Sequence, residues 1–463
     1  MEQLKRNKMG TMQPPKLLLN MGVPMVLSMA VQALYNMVDT YFVSHIPDTE
    51  LVSEMGDKAI NALTLANPIQ ALIIALIVGI GIGTNSMLAQ NLGRKDREGA
   101  SRVAGNAIFL CSICFVLIFL FGLFGAEAFI RSQTSDELIV ELGTTYLRIV
   151  TVFSLGTIGY MCLEKVAMGC GKTRATMVGQ LSGAVVNIIL DPILIYGKLG
   201  LPAMGVAGAA WATVIGQFVS LFIIGFIVFF RTREISVGWK YLRPCRDVLK
   251  RFAVICVPAV FMQVMTPVMA YGMNLVLGAI SPAMVTAYGV YYRLQYFVIL
   301  SALGFNNASI PCVSYNLGAG NKKRMAQIIQ WALIYTMTIM VVCVLILQIF
   351  TKPIVGVFSI APDSRQQCLM AVHIVSIALL FAGANNILQG ACQAMGNGVY
   401  SLIVSSLRYV VLVLPLAWAF SLTGSNALVW ASVPIAEAAS CVLAIFFTVR
   451  LYRKRTAGLK PVA

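Results

Sequence analysis

The chain has 463 residues, of which 59% are hydrophobic and only 11% are charged, and its formal net charge is +16. Soluble globular chains carry about 25% charged and about 45–50% apolar residues, so this composition excludes an ordinary soluble domain. The apolar runs are long and continuous rather than alternating, which excludes a transmembrane β-barrel. The first fifteen residues are polar and basic, without an apolar core or a small-residue cleavage site, so we expect no cleavable signal peptide.

Apolar runs separated by polar breaks predict twelve transmembrane helices, because each run is long enough to cross about 30 Å of hydrocarbon. Several runs exceed about 20 residues, which predicts tilted, bent or protruding helices. In chain order the predicted spans are residues 17–46, 60–92, 99–124, 136–168, 174–197, 203–231, 247–278, 283–316, 325–351, 366–395, 400–422 and 426–450.

The distribution of lysine and arginine predicts the orientation of these helices. With a cytoplasmic N-terminus, most basic residues fall on the cytoplasmic side, as the positive-inside rule requires, and the opposite side is the acidic one. This distribution puts both termini in the cytoplasm and accounts for the net charge without nucleic acid. The cytoplasmic set is Lys5, Arg6, Lys8, Lys16, Arg94, Lys95, Arg97, Arg102, Lys172, Arg174, Arg231, Arg233, Lys240, Arg243, Arg246, Lys250, Arg251, Lys322, Lys323, Arg324, Arg450, Arg453, Lys454, Arg455 and Lys460; the opposite side has Lys58, Arg131, Lys198, Lys352 and Arg365 with Asp48, Glu50, Glu54, Asp57, Asp136 and Glu137.

Two short motifs recur at nearly the same distance along the chain and predict an internal repeat. Asn91-Leu92-Gly93 returns at 316–318, and Ala-Met-Gly-x-Gly at 167–171 returns at 394–398. Each pair is separated by an even number of spans, so the two halves are parallel and related by an axis along the membrane normal, as in transporters that alternate access. We therefore expect a first lobe at 1–231, a cytoplasmic linker at 232–246 and a second lobe at 247–463.

Ionisable residues inside apolar spans are candidates for function, because each costs roughly 2.5–3.5 kcal/mol at mid-helix on insertion scales. Three of the four acids lie in the first half. The set comprises Asp39, Glu164, Asp191 and Glu437 with Arg148, Lys165, Arg293 and Arg408.

Two of these acids have polar neighbours on the same helix face. Asp191 follows Asn187 by one turn, and Asp39 shares a face with three polar residues at spacings of three and four. Such groups can take a proton or supply oxygen ligands to a small cation such as Na⁺. The alternative is a structural ion pair between Asp39 and Arg148 or Lys165. The polar residues that share the Asp39 face are Gln32, Tyr35 and Asn36.

The seventh span carries methionines at spacings of three and four. Methionine is polarizable and adaptable, which suits a wall for varied apolar ligands, although ordinary helix packing explains the stripe equally well. For Glu164, Arg293, Arg408 and Glu437 the sequence leaves a functional and a structural role open, and Arg408 with Glu437 fits a pair between neighbouring spans. The stripe and its neighbour comprise Met262, Gln263, Met265, Met269 and Met273.

No motif predicts an enzyme or a bound cofactor. Gly171-Lys172-Thr173 resembles the end of a phosphate-binding loop, but Val166 stands where the first glycine belongs. Two histidines are too few for a multi-histidine metal site, and the Cys-x-x-Cys at 111–114 lies among apolar residues typical of packing. An ion gradient is therefore the expected energy source.

At this point the chain resembles the multidrug and toxic compound extrusion (MATE) transporters, most closely the bacterial MepA- and DinF-like members. The resemblance extends from about residue 15 to 450 and lies in the order and spacing of several segments. These are Gly-Val-Pro-Met at 22–25, Gln-Ala-Leu-Tyr-Asn-Met-Val-Asp at 32–39, Ala-Gln-Asn-Leu-Gly-Arg at 89–94, Met-Gly-Cys-Gly-Lys-Thr at 168–173 and Gly-Val-Ala-Gly-Ala-Ala-Trp-Ala-Thr at 205–213.

The resemblance implies an all-α polytopic membrane protein in which two parallel-repeat lobes of six helices form a V around a central cavity. It implies export of cationic or amphipathic compounds in exchange for H⁺ or Na⁺. It assigns a cation or proton site to Asp39, Asn187, Asp191 and Thr213, and bending of the first helix to Pro24. Other members carry acids in helices seven and ten, where this chain has Gln263, Asn385 and Asn386.

The expected protein is a monomeric, multi-pass transporter of a bacterial cytoplasmic membrane, in contact with lipids, that exports small cationic drugs and dyes. The alternative within the wider superfamily is a flippase for lipid-linked oligosaccharides. The excess of acids in the first half favours cationic cargo. A membrane-embedded enzyme would need a clustered histidine or acid motif, and a receptor or channel would not explain the duplicated halves.

Overall fold

The computed structural model describes residues 7–48, 54–236, 238–358 and 360–459, and these residues form helices and connecting turns without a β-strand. Lys5, Arg6, Glu50 and Lys460, which entered the charge argument, lie outside the described residues. The helices are α1 Lys8–Thr11, α2 Pro14–Ser44, α3 Met55–Gly93, α4 Arg97–Phe124, α5 Ala126–Arg131, α6 Glu137–Val152, α7 Leu155–Gly169, α8 Thr173–Tyr196, α9 Gly205–Phe226, α10 Trp239–Leu242, α11 Arg246–Gly278, α12 Pro282–Gly318, α13 Lys322–Ile349, α14 Thr351–Gly356, α15 Pro362–Val375, α16 Ala378–Ala394, α17 Gly398–Ser406, α18 Val413–Ser421 and α19 Asn426–Thr456.

The helices confirm a protein with many membrane spans. In the described residues, ten are long and apolar enough to cross a membrane; this count takes α17 and α18 as one span through the π-helical turn Leu407–Val411. Two further spans are broken, because α6 and α7 meet at 44° and α15 and α16 at 48°. Counting each bent pair once gives the predicted twelve. Residues 136–168 and 366–395, each predicted as one helix, are two helices each.

The two broken spans begin at equivalent places. Asp136 caps α6 by accepting hydrogen bonds from the Leu138 and Ile139 amides at 3.0 and 3.3 Å. Those two bonds, with Lys58 at 3.5 Å, hold the pKa of the Asp136 carboxyl below its usual range. Along the sequence, α15 begins as many residues after α6 begins as the second Asn-Leu-Gly motif lies after the first. The first turn of α15 contains a proline. A capped or proline-led start at each place fixes where the first helix of the broken span begins.

One constant register relates the halves from α4 to the start of α8, and it is the register that pairs Gly93 with Gly318. In this register α4 corresponds to α13, α5 to α14, and the start of α8 to the start of α17. The turns agree, because Lys172 N–H donates to Ala167 O at 2.9 Å and Asn397 N–H donates to Cys392 O at 3.0 Å. The predicted pairing of residues 167–171 with 394–398 is therefore wrong. The identical residues in the two segments are not structurally equivalent, whereas the hydrogen-bonded turns are equivalent in the common register.

The described chain divides into two compact units. One contains Met1–Val26, Asn85–Asp96 and Lys250–Ala463, and the other contains Leu27–Thr84 and Arg97–Leu249. In the first unit, the ends of α3 and α12 pack through reciprocal glycines. A Cβ atom on Gly93 would lie 2.0 Å from Tyr315 O, and one on Gly318 would lie 2.0 Å from Gln90 O. The repeat register converts each contact into the other, so the repeat has a local two-fold relation here.

In the second unit, α8 and α9 approach each other through small residues. A Cβ atom on Gly216 would lie 2.7 Å from Gly183 O, and one on Gly183 would lie 2.6 Å from Gly216 O. Small residues allow this backbone contact in membrane helix pairs. The same contact brings the polar faces of α8 and α9 together, which positions the candidate site.

Candidate functional site

Three helices of the second unit carry the predicted cation-site residues. Asp39 lies on α2, Asn187 and Asp191 lie on α8, and Thr213 lies on α9. The Asn187 amide donates to Asp191 Oδ1 at 3.3 Å and to Thr213 Oγ1 at 3.5 Å. The carboxyl groups of Asp39 and Asp191 are close enough to interact electrostatically. The structure therefore brings these four residues into one polar cluster.

Three oxygens of this cluster are buried without a hydrogen-bond partner among the described residues: Asp39 Oδ1, Asn187 Oδ1 and Asp191 Oδ2. An unsatisfied buried polar atom is costly, and a buried carboxylate without a counter-charge is more so. A proton on either carboxyl, or a hard cation bound by these oxygens, removes that cost. Carboxylate, amide and hydroxyl oxygens are the ligands that hard cations prefer. The donor set fits H⁺ and Na⁺ alike.

Two further side chains support the cluster. The hydroxyl of Tyr146 on α6 is close enough to interact electrostatically with both Asp39 and Asp191. The Gln70 side chain on α3 donates a hydrogen bond to that hydroxyl at 3.1 Å. Neither residue was among the sequence candidates, because single tyrosine and glutamine residues in an apolar helix give no strong signal.

A polar pocket opens beside the cluster and has about 220 Å³ of empty space. This space includes the open mouth of the pocket, so the enclosed part is much smaller than a pocket that surrounds a drug-sized molecule. Sequence reasoning found Tyr35, Asn187 and Thr213 but missed most of the lining. The full lining is Tyr35, Gln180, Gly183, Ala184, Asn187, Thr213, Gly216, Gln217 and Ser220.

The other first-half candidates lie around this cluster in different ways. Gln32 and Asn36 are exposed on α2. Glu164 is half-buried and pairs with buried Lys165, with 3.3 Å between Oε2 and Nζ. The two basic residues considered as alternative partners for Asp39 have other surroundings: Lys165 pairs with Glu164, and Arg148 is exposed.

The methionine stripe on α11 divides between open and packed positions. Met262 and Met265 are half-buried, with their sulfurs 3.5 Å from Gln393 Nε2 and 4.0 Å from Ser406 Oγ. Met269 is only 5% exposed and packs in the hydrophobic core together with Met273. Its side chain does not face open space in this conformation, and packing, the alternative given from sequence, describes its surroundings. Gln263 on the same helix is exposed.

The second half holds a buried charged pair. Arg408 Nε lies 2.8 Å from Glu437 Oε1, and the two residues are 2% and 5% exposed. The amide of Asn385 donates to the other carboxylate oxygen at 2.8 Å, and the guanidinium lies over the Tyr409 ring, 4.5 Å from its centroid. Arg408 stands in a π-helical turn. By residue count along the repeat it corresponds to Gly183 on α8, so the two halves have diverged from glycine to a guanidinium group or the reverse at this position.

The two remaining candidates from the sequence are Pro24 and Arg293. Pro24 is buried inside α2, which continues without a break from Pro14 to Ser44. Arg293 is exposed on α12. Among the described residues, no three His, Cys, Asp or Glu side chains cluster to hold a metal ion.

The model of the MatE family matches residues 24–193 and 258–419, which cover both halves of the chain. This chain belongs to the MatE family. The match includes Pro24, Asp39, Asn187 and Asp191, but it contains neither Thr213 nor Glu437.

Relatives of this MatE protein align over almost its full length. The multidrug export protein MepA of Staphylococcus saprophyticus is 28% identical and the MepA of Staphylococcus aureus strain MSSA476 is 26% identical, each over 95% of this chain and 94% of the relative. A multidrug resistance MATE family transporter in an outward-facing conformation matches with a TM-score of 0.88, 24% identity and 98% coverage of both chains. This last likeness shows the fold.

Proposed function

We propose that this MatE protein is a secondary active multidrug efflux antiporter, which exports cationic or amphipathic compounds in exchange for H⁺ or Na⁺ by alternating access. The MatE membership and the multidrug export relatives support the transport class. The observation that carries the coupling is the pair Asp39 and Asp191 beside a polar pocket: Asp39 Oδ1 and Asp191 Oδ2 are buried and have no hydrogen-bond partner among the described residues.

The coupling follows from electrostatics. Two nearby carboxylates repel each other in a low dielectric, so one bound proton or one small cation lowers their energy. A cationic compound at the pocket is attracted by the same negative charge. The ion and the compound therefore compete, and ion binding by Asp39, Asp191, Asn187 and Thr213 displaces the cargo or favours a bend of α2 at Pro24. Reorientation then releases the ion to the cytoplasm.

We assign the substrate surface to residues in each half of the chain. In the first half we assign it to Gln32, Tyr35, Asn36 and Glu164, of which Tyr35 lines the pocket. In the second half we assign it to the methionine stripe and Gln263, where flexible thioether side chains suit ligands of different shape. Met269 contributes only if α11 repacks, because its side chain is buried.

The flippase alternative is not favoured. The aligned relatives are named as multidrug export proteins. The acids of the pocket region also suit a cationic cargo better than the phosphate groups of a lipid-linked sugar, because like charges repel.

Efflux of a cationic dye from cells tests the assignment of the two acids. Asp39→Asn and Asp191→Asn keep the side-chain size but remove the charge and the titratable proton, so we expect each to reduce efflux at least about tenfold by removing the ion from the cycle. Asp57→Asn, which changes an exposed acid at the start of α3, is the matched control and should transport normally. Full efflux by both site variants at normal expression would refute the assignment.

The coupling ion needs a separate measurement. In proteoliposomes, a pH gradient and a Na⁺ gradient are imposed one at a time, and uphill movement of the dye is recorded. Movement with only one gradient identifies that ion, and both responses should be lost in Asp39→Asn. Dye movement that is independent of both gradients would contradict the antiport mechanism.

A further inference from the structure

The linker at 232–246 is docked on α4 rather than free. The backbone amide of Ser236 donates to Ser101 Oγ at 2.9 Å, and that of Cys245 donates to Asn106 Oδ1 at 2.9 Å. The Asn106 amide in turn donates to Arg243 O at 3.5 Å. Both ends of the linker are thus tied to the same helix, α4.

Packing completes this attachment. A Cβ atom on Gly105 would lie 2.1 Å from Tyr241 O, so the linker backbone passes directly over a glycine of α4. Ile235 is buried. The Lys172 ammonium donates to Arg231 O at 2.8 Å and pairs with Glu234 at 3.1 Å, so the acid of the linker is neutralised from within the protein.

The attachment sets the depth of the linker in the membrane. The helix α4 has 28 residues and is about 42 Å long, about 12 Å more than the hydrocarbon core. Ser101 and Asn106 lie about 6 and 14 Å along the helix from Arg97. The helices joined by the linker end at Arg231 and begin at Arg246, and both belong to membrane spans. The linker therefore lies at the level of the lipid headgroups.

The side chains that the docked linker presents are mainly cationic. Lys240, Arg243 and Arg246 are exposed, as are Arg233 at the start of the linker and Arg231 just before it, and the Lys240 ammonium lies 5.9 Å from the Tyr241 ring centroid. Among the described residues here, Asp247 is an exposed acid on the first turn of α11. Tyrosine beside basic residues is typical of the membrane interface.

We propose that the docked linker is a binding surface for the phosphate headgroups of anionic phospholipids in the leaflet where it lies. Basic residues that only set the orientation of membrane helices need to lie near the ends of the spans, and their backbone need not be fixed. Here hydrogen bonds and a glycine contact also fix the backbone that carries them, so the cations are held at headgroup depth. Arginine and lysine at that depth bind phosphate and hold the linker, and through it α4, against the leaflet.

Lipid binding to the purified full-length chain tests this surface. Delipidated protein is titrated with phosphatidylglycerol or with phosphatidylcholine of the same acyl chains, and bound lipids are counted by native mass spectrometry. The linker variant is Lys240→Gln, Arg243→Gln and Arg246→Gln. We expect its affinity for phosphatidylglycerol to fall at least about fivefold, since each basic residue near an anionic surface contributes about that factor.

Three comparisons make the test specific. The variant Arg450→Gln, Arg453→Gln and Lys454→Gln removes equal charge from exposed positions of α19, and it should change phosphatidylglycerol affinity less than about twofold, because the linker charges are kept. Charge-conserving exchanges of lysine and arginine at the linker positions should restore binding. Excess inorganic phosphate should not displace the lipid. Equal losses in both charge variants, no loss in the linker variant, or displacement by phosphate would overturn the proposal. Because nothing is transported, these outcomes are independent of the antiport test.

Discussion

Arg408 places a full charge inside the helices of the second half, and its surroundings explain how the structure tolerates it. Glu437 supplies the counter-charge, Asn385 satisfies the second carboxylate oxygen, and the Tyr409 ring covers the guanidinium. Separating two charges in a low dielectric is far more costly than keeping them paired. The sequence alone left a functional role open for both residues. The geometry is that of a buried ion pair that joins two neighbouring spans.

Arg408→Met should destabilise the protein, because it leaves the Glu437 carboxylate buried without its cation. Loss of one partner of a buried pair typically costs about 3–5 kcal/mol. The double variant Arg408→Met with Glu437→Leu should recover most of that loss, since no charge remains buried. Thermal unfolding in detergent measures all three proteins. Arg293→Met, at an exposed arginine of α12, is the control and should unfold near the wild-type temperature. A single variant as stable as wild type would show that the pair does not stabilise the fold.

At the same scale, the sequence predicted charged site residues better than neutral ones. Asp39 and Asp191 stood out because a carboxylate in a membrane helix is costly and rare, and Asn187 was found only through its place one turn before Asp191. Gln180 and Gln217 did not, because neutral amides cost less there. Their positions were readable in retrospect: on α8, Gln180 lies two turns before Asn187, and on α9, Gln217 lies one turn after Thr213, so each shares the helix face of a predicted ligand.

At the scale of elements, the close pair α8 and α9 determines the geometry of the pocket. Gly183 and Gly216 let the two backbones touch beside Asn187, and a Cβ atom on Gly216 would lie 3.2 Å from the Asn187 Cβ. A larger residue must push α9 away from α8. That movement would also lengthen the contact between Asn187 and Thr213, which is already 3.5 Å.

Gly216→Ala should therefore impair both stability and transport. Overpacking of this kind costs about 1–3 kcal/mol, and we expect dye efflux to fall several-fold because the cation ligands separate. Gly225→Ala on the same helix is the matched control, since a Cβ atom there would lie 3.7 Å from its nearest neighbour, an ordinary contact. Unfolding temperature and efflux are measured for both. Equal behaviour of the two variants would contradict the role of the close approach.

The broken spans were not predictable from the apolar pattern. The runs at 136–168 and 366–395 stay apolar across the bends, so their hydropathy predicts one helix in each. The breaks lie at residues 153–154 and 376–377, between helix ends that composition does not mark. Both halves contain such a break in the span that begins at an equivalent place, which indicates that the broken span belongs to the repeat.

At the scale of the whole molecule, the charge asymmetry predicts where each loop lies. We expect the C-terminus, the linker and the turn at 93–96 on the cytoplasmic side, and the loop at 197–204 on the other, because lysine and arginine are retained in the cytoplasm. A fluorescent protein fused to the C-terminus should fluoresce. Alkaline phosphatase fused after Lys198 should be active, while the same enzyme fused after Arg233 should be inactive. The reverse pattern would invert the proposed direction of transport.

The fold as a whole was largely predictable, whereas its register was not. Twelve spans and a parallel repeat followed from hydropathy and two short motifs. The single repeat register emerged only from the helix bounds and the turns, since a matching Ala-Met-Gly string paired Ala167 with Ala394, whereas the turn pairs it with Cys392. Backbone hydrogen bonds show directly which residues of the two halves are equivalent, whereas identical residues in a glycine-rich turn do not.

The reciprocal contact of Gly93 with Tyr315 and of Gly318 with Gln90 has a consequence for the ancestry of the chain. In an isologous dimer, residue i of one subunit meets residue j of the other, and j meets i, by symmetry. A half-length ancestor that paired through this helix end would have needed one glycine to make both contacts. After duplication and fusion the two copies became free to diverge, as Gly183 and Arg408 have done. At this crossing both copies are still glycine, which is what a symmetric contact between two identical halves requires.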